Sequence, residues 1–179
     1  MSARAKAQRS LKSRALQLLA QRDQSRVELR RKLLRHLRGE AAAAPSSDDD
    51  DLPADRSREV AALLDWLEAN RFLSDDRFVE ARVHAREARF GNLRIRSELA
   101  QHGLALPAER QQTLDDSELA RAAVVRERRF AGAPRDAAER AAQSRFLAGR
   151  GFSPEVIHRL MRRLREPPAE TAIEPADGR

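Results

Sequence analysis

The 179-residue chain has no cysteine, so disulfides and thiolate metal sites are excluded, a pattern consistent with a reducing cytoplasm. Aromatic residues are scarce at 4%, and the 41% hydrophobic share is mostly Ala and Leu beside 35% charged residues. That balance favours a thin core and helices that expose much surface, in an elongated all-α protein. No stretch approaches the roughly 20 apolar residues of a membrane span, and no apolar segment follows the basic N-terminus. Neither a targeting signal nor a membrane segment is expected, and a cytoplasmic protein is.

Catalytic patterns are missing too. There is no Gly-rich phosphate loop and no G-x-S-x-G elbow, and the few Ser fall mostly where helices start. His36, His84, His102 and His158 lie on different expected helices without the H-x-x-x-H spacing that sets two ligands on one face. Asp48 to Asp51 lack the ligand spacing of an EF-hand and read as a solvated charge run. The expectation is a protein with no catalytic, cofactor or metal site.

What is abundant is arginine, and its distribution is uneven. Residues 1–38 carry twelve Lys or Arg against Asp23 and Glu28, whereas residues 39–59 carry two against seven acids. A basic arm beside an acidic segment points to polyanionic partners. Arg outnumbers Lys, which suits bidentate recognition of phosphate or carboxylate, although a GC-rich genome produces the same bias.

Apolar periodicity gives about nine short helices and no strand. Leu11, Ala15, Leu18 and Leu19 share one face of a helix over about 10–22. Ser25 and Glu28 have capping-box spacing ahead of the stripe Leu29, Leu33 and Leu37. Residues 39–56, with small residues, two Pro and four consecutive Asp, read as a flexible acidic insertion. Helicity resumes near Ser57 with Val60, Leu63, Leu64 and Leu67 inward, stops at Asn70, and Phe72 and Leu73 pack back.

Ser74 or Asp75 caps the next helix, whose expected inward face is Phe78, Ala81, Ala85 and Ala88, ended by Gly91. Asn92 is the expected cap of a short helix with Ile95 and Leu99, closed by Gly103. Pro107 opens a helix to Leu114, and Asp115–Ser117 start another carrying Leu119, Ala123 and Phe130. Asp136 with Glu139, and Ser153 with Pro154, begin the last two. The final helix turns Val156, Ile157, Leu160, Met161 and Leu164 inward.

Self-similarity adds organisation. Asp75-Asp76 matches Asp115-Asp116, and at the same offset Arg86-Glu87-Ala88-Arg89-Phe90 matches Arg126-Glu127-Arg128-Arg129-Phe130. Leu33-Leu34-Arg35-His36, Leu99-Ala100-Gln101-His102 and Leu147-Ala148-Gly149-Arg150 align at the close of three middle helices. These matches imply three-helix repeats at 10–73, 74–114 and 115–165, between a disordered basic N-terminus at 1–9 and a disordered tail at 166–179.

Basic rows lie off the apolar stripes. Arg26, Arg30, Lys32 and Arg35 form one, Arg82, Arg86 and Arg89 another, Arg94 and Arg96 flank Ile95, and Arg159, Arg162, Arg163 and Arg165 surround the last helix. Candidate partner-binding residues are Arg26, Arg30, Lys32, Arg82, Arg86, Arg94 and Arg96.

With Ala15-Leu16-Gln17-Leu18-Leu19, Ser25-Arg26-x-Glu28-Leu29-x-x-Lys32-Leu33, Leu73-Ser74-Asp75-Asp76-Arg77-Phe78, Ile95-x-x-Glu98-Leu99 and Phe146-Leu147-x-x-Arg150-Gly151-Phe152, the chain resembles the RecX family over about residues 11–164. It departs from the family pattern in the acidic insertion and in His36-Leu37-Arg38-Gly39, where a Gly-like stop is usual. The resemblance implies three tandem three-helix repeats that bind the RecA recombinase filament in its helical groove. It implies a monomer that restrains strand exchange and ATP hydrolysis in DNA recombination, DNA repair and the SOS response. Contact with single- or double-stranded DNA phosphate is open beside filament binding, and the rival reading is a direct DNA-binding module of helix-turn-helix-like units. Against that rival, no helix clusters Asn, Gln and Arg at its start as base readout requires.

Overall fold

A computed structural model describes residues 10–41 and 54–165. The expected disordered ends at 1–9 and 166–179 lie outside these residues, as do positions 42–53 of the acidic insertion. Among the described residues there are eight α-helices and no strand: α1 (Leu11–Gln21), α2 (Arg26–Ala41), α3 (Ala54–Ala69), α4 (Asp75–Glu87), α5 (Asn92–Ala100), α6 (Ala108–Glu127), α7 (Ala137–Gly149) and α8 (Pro154–Arg163). None is long and apolar enough to cross a membrane. The edges of the expected insertion are helical, since α2 runs through Gly39 to Ala41 and α3 begins at Ala54, ahead of Ser57.

The helices form two compact units. Among the described residues, the first comprises 10–41, 54–85 and 96–106, and the second comprises 86–95 and 107–165. In the first, α1 packs on α2 and α2 on α3. Its core joins Ala15 and Leu18 to Leu29, Leu33, Leu37, Val60, Leu64, Leu67 and Leu73. Each Leu taken out of water here contributes about 1.5–3 kcal/mol, which is why the stripes with helical spacing turn inward. Ser25 caps α2 by accepting the Glu28 N–H at 3.1 Å, and His102 Nδ1 lies 2.9 Å from the same hydroxyl. The His102 ring also tilts against Phe78 at 4.8 Å, so this histidine packs against the core, and burial lowers its pKa.

The α3 terminus is closed by a turn in which Arg71 takes a left-handed φ of 60°. The Phe72 N–H donates to the Leu67 carbonyl at 2.9 Å, and Leu73 is buried as expected while Phe72 stays exposed. The same bond from the residue after the turn closes α5 (Leu104 to Leu99) and α7 (Phe152 to Leu147), there with Gly103 at φ 70° and Gly151 at φ 81°. The three aligned leucines Leu33, Leu99 and Leu147 are each fully buried.

In the second unit α6, α7 and α8 pack mutually around Ala122, Val125, Leu147, Phe152, Val156, Ile157, Leu160 and Met161. The Asp136 side chain accepts the Glu139 N–H at 2.7 Å, and Ser153 accepts the Val156 N–H at 3.3 Å, so both expected caps form.

Several local expectations fail. Phe78 is buried as expected, but Ala81, Ala85 and Ala88 are exposed, and α4 buries Val79 and Val83 in their place. The helix rotates toward the side chains with more apolar area to hide. Pro107 is the residue before α6 rather than its first position. The break expected between Leu114 and Asp115 is absent: the Ser117 hydroxyl donates to the Thr113 and Leu114 carbonyls, and α6 continues as one helix. A Ser that bonds back to its own helix no longer acts as a start signal, so the described helices number eight rather than nine.

Candidate functional site

The expected binding residues divide between the two units. In the first, three are occupied as internal struts. Arg26, at the start of α2, donates to Asp65 at 2.6 Å and Glu68 at 2.5 Å on α3, and those bonds, Glu68 first, raise its pKa. Lys32 donates to Gln24 at 3.0 Å and pairs with Glu28 at 2.9 Å. Arg82 lies over the Phe78 ring at 5.2 Å and 3.7 Å from Glu98. Arg30 is exposed on α2, and Arg96 is half-buried on α5.

Glu28 anchors this basic arm from within. Burial alone raises its pKa, but hydrogen bonds from Arg22 and Lys32 outweigh it and bring the value down to about 2 from 4.5. A carboxylate whose folded pKa is depressed contributes stability that is complete above pH 4.5 and disappears as pH falls toward 2. Glu28→Gln is therefore expected to lower the urea midpoint most at neutral pH, with the gap to wild type closing between pH 4.5 and pH 2. Urea titrations across that range check it, and a gap independent of pH contradicts it.

The second unit does assemble a surface cluster. Gly91 lies against the Gly151–Phe152 backbone: its N–H donates to the Arg150 carbonyl at 3.0 Å, and the Leu93 N–H donates to the Gly151 carbonyl at 3.0 Å. Gly151 meets Arg94 as closely, since a Cβ on it would fall 2.5 Å from the Arg94 Cβ. This crossing carries the end of α7 onto the α4–α5 turn and gathers three guanidinium groups around one ring. Arg94 stands 4.8 Å from the Phe90 centroid, Arg86 5.6 Å and Arg150 5.7 Å. Arg150 is also 5.1 Å from Phe146, which meets Phe130 edge-on at 5.4 Å, and Arg129 lies 5.6 Å over Phe130.

A guanidinium stacked on a ring keeps its donor edge in plane for a carboxylate or phosphate. Arg86 and Arg94, expected from sequence, are thus brought together, and Arg150 completes a group that sequence reasoning missed. The repeated Arg-Glu-x-Arg-Phe segment marks Arg86 and Phe90 but does not include Arg150. Its two copies close with the same turn, since Phe90 donates to the Arg86 carbonyl and Phe130 to that of Arg126. They differ in where the first Arg goes: Arg126 turns inward, 3% exposed, to donate to Gln143 at 2.7 Å. Of the row Arg82, Arg86 and Arg89, Arg82 belongs to the first unit and Arg86 and Arg89 to the second, with Arg89 exposed.

A buried polar node supports the cluster. Asn92 was expected to cap α5, but its backbone N–H donates to Glu118 at 2.9 Å and its side chain donates to Asp115 at 2.7 Å. Glu118, 4% exposed, also accepts from the Ser153 hydroxyl at 3.2 Å. Arg121 donates to the carbonyls of Phe90 at 2.9 Å, Leu114 at 3.0 Å and Glu87 at 3.1 Å, to the Ser117 hydroxyl at 3.2 Å and to the Asn92 side chain. Burial lowers the Arg121 pKa, and Glu118 and Glu87 oppose that shift. Ordinary arginine basicity still leaves it charged at neutral pH.

Fold and surface together define a class: an all-helical protein of short helices with guanidinium groups gathered over aromatic rings. The family profile described as the RecX third three-helix domain matches residues 116–161, which run from α6 into α8. Relatives named Regulatory protein RecX include one from Ralstonia nicotianae, 47% identical over 154 residues covering 85% of this chain and 86% of the relative. One from Herbaspirillum seropedicae is 45% identical over 83% of this chain and 86% of its own length, and one from Chromobacterium violaceum 36% identical over 86% and 90%. The chain belongs to the RecX family of regulatory proteins.

Proposed function

We propose that this protein is a monomeric, non-enzymatic cytoplasmic regulator that binds the RecA–DNA filament and restrains its ATP hydrolysis and strand exchange, in DNA recombination, DNA repair and the SOS response. The observation that carries this reading is identity of 47% with a protein named Regulatory protein RecX over most of both chains. The Arg86, Arg94 and Arg150 cluster around Phe90 supplies chemistry suited to acidic side chains or phosphate on such a filament. Three tandem three-helix repeats, at 10–73, 74–114 and 115–165, are the proposed organisation.

The test is RecA ATPase activity on single-stranded DNA with the full-length protein. Wild type lowers the rate, more weakly as salt rises. The double substitution Arg94→Ala, Arg150→Ala raises the concentration needed for half-inhibition about tenfold, or about 1.4 kcal/mol, in line with two solvent-exposed ionic contacts of about 0.7 kcal/mol each. Circular dichroism verifies the fold of the variant. Absence of inhibition beside tight binding to bare DNA would favour a direct DNA-binding module instead.

A further inference from the structure

The first unit exposes an aromatic pair that its own core does not use. Trp66, the sole tryptophan, is 36% exposed and Phe72 46% exposed, with ring centroids 5.6 Å apart and planes inclined by 20°. Lys12 on α1 sets its ammonium 3.4 Å from the indole centroid. The left-handed turn at Arg71 holds Phe72 in place, with the Arg77 guanidinium donating to the Arg71 and Phe72 carbonyls at 3.1 Å. Large apolar groups left in water on a pinned turn suit an external partner better than local packing.

We propose that Trp66 and Phe72 form a stacking platform for single-stranded nucleic acid. Every base has a π-face, so a base laid on the more open ring, Phe72, extends an existing stack without sequence preference. Charge points the same way. Residues 10–38 carry nine Lys or Arg against two acids. The two carboxylates flanking Trp66, Asp65 and Glu68, are paired with Arg26, and Asp75, three residues past Phe72, accepts the Arg26 N–H at 3.0 Å. Lys12 meets both needs, because a cation on the ring face can also reach the phosphate beside a stacked base. Duplex DNA hides its base faces and fits poorly.

The test uses the full-length protein and a short oligothymidylate at low salt, with no recombinase present, so its outcome is independent of filament regulation. Saturable quenching of Trp66 fluorescence is expected, with at least fivefold weaker binding to the duplex form. Phe72→Ala and Phe72→Leu, followed by anisotropy of a labelled oligonucleotide, should each lose about tenfold in affinity. The leucine variant keeps an apolar contact with Trp66 while removing the π-face. Lys12→Ala should lower affinity and reduce the salt slope by about one. Full affinity in Phe72→Leu, equal affinity for duplex, or equal quenching by inorganic polyphosphate overturns the proposal. So does quenching of Trp66 by the recombinase alone and not by the oligonucleotide, which makes the surface a protein interface.

Discussion

Gly91→Ala is expected to lower the melting temperature by about 10 °C or more, whereas Gly149→Ala leaves it unchanged or slightly higher. The reason is what a new methyl group would meet. At Gly91 it would lie well under 3.0 Å from the Gly151 carbonyl oxygen and from the Phe152 N and Cα, all main-chain atoms that no rotamer change can move. Over-packing costs roughly 1–3 kcal/mol when side chains can shift, and here only the backbone can yield, so more than about 3 kcal/mol is expected. Relief would require separating the two segments, breaking the bonds from Gly91 to Arg150 and from Leu93 to Gly151. At Gly149, in the last turn of α7, nothing lies within 4 Å, and removing the freedom of glycine from the unfolded chain gains about 0.5–1 kcal/mol. Thermal melts followed by circular dichroism check both. A Gly91→Ala melt within about 2 °C of wild type would mean that the crossing is looser than its geometry.

The same crossing explains which part of the candidate site was legible in the sequence. Features written in adjacent residues came through: the Ser25, Asp136 and Ser153 caps, the Leu29–Leu33–Leu37 stripe and the Val156–Met161 face each depend on neighbours within a few positions. Features decided by a distant segment did not. Asn92 looks like a cap because Asn commonly is one, yet the acceptor for its N–H is a buried carboxylate on α6. The inward face of α4 was assigned to regularly spaced alanines, but burial goes to Val79 and Val83, where more apolar area is at stake. Arg86 and Arg94 were recognisable as basic residues near Phe90. Arg150 was not, because it reaches Phe90 only through the passage of Gly91 against Gly151. Net charge located the basic arm but not its use: Arg26 and Lys32 are held by Asp65, Glu68 and Glu28.

Arg121→Ala is expected to destabilise the protein by about 3 kcal/mol or more, the other large effect. Its guanidinium is the common donor for the Glu87 and Phe90 carbonyls at and just past the end of α4, for the Leu114 carbonyl of its own helix and for the side chains of Ser117 and Asn92. Truncation removes that donor from all five; the Leu114 carbonyl keeps the Ser117 hydroxyl, and each of the others that water cannot reach costs roughly 1–3 kcal/mol. It also removes a positive charge that acts on Glu118, a carboxylate 4% exposed. Two further substitutions separate packing from bonding. Arg121→Met keeps most of the stem volume and should be nearly as unstable as alanine if the donors dominate. Arg121→Lys keeps the charge, but one ammonium cannot replace a planar fork that reaches five acceptors, so it should recover less than half of the loss. Urea midpoints for the three variants check this, and a loss below about 1 kcal/mol for Arg121→Ala would show that the node is easily rehydrated. Because Arg121 bonds both the Phe90 carbonyl and the Asn92 side chain, the variant should, on the proposed reading of a filament regulator, also weaken inhibition. It would do so by loosening the ring on which Arg86, Arg94 and Arg150 converge, without Arg121 itself contacting the partner. Inhibition should then recover at temperatures or osmolyte concentrations that restore the fold, whereas in Arg94→Ala, Arg150→Ala, which lacks the proposed contacting groups, it should not.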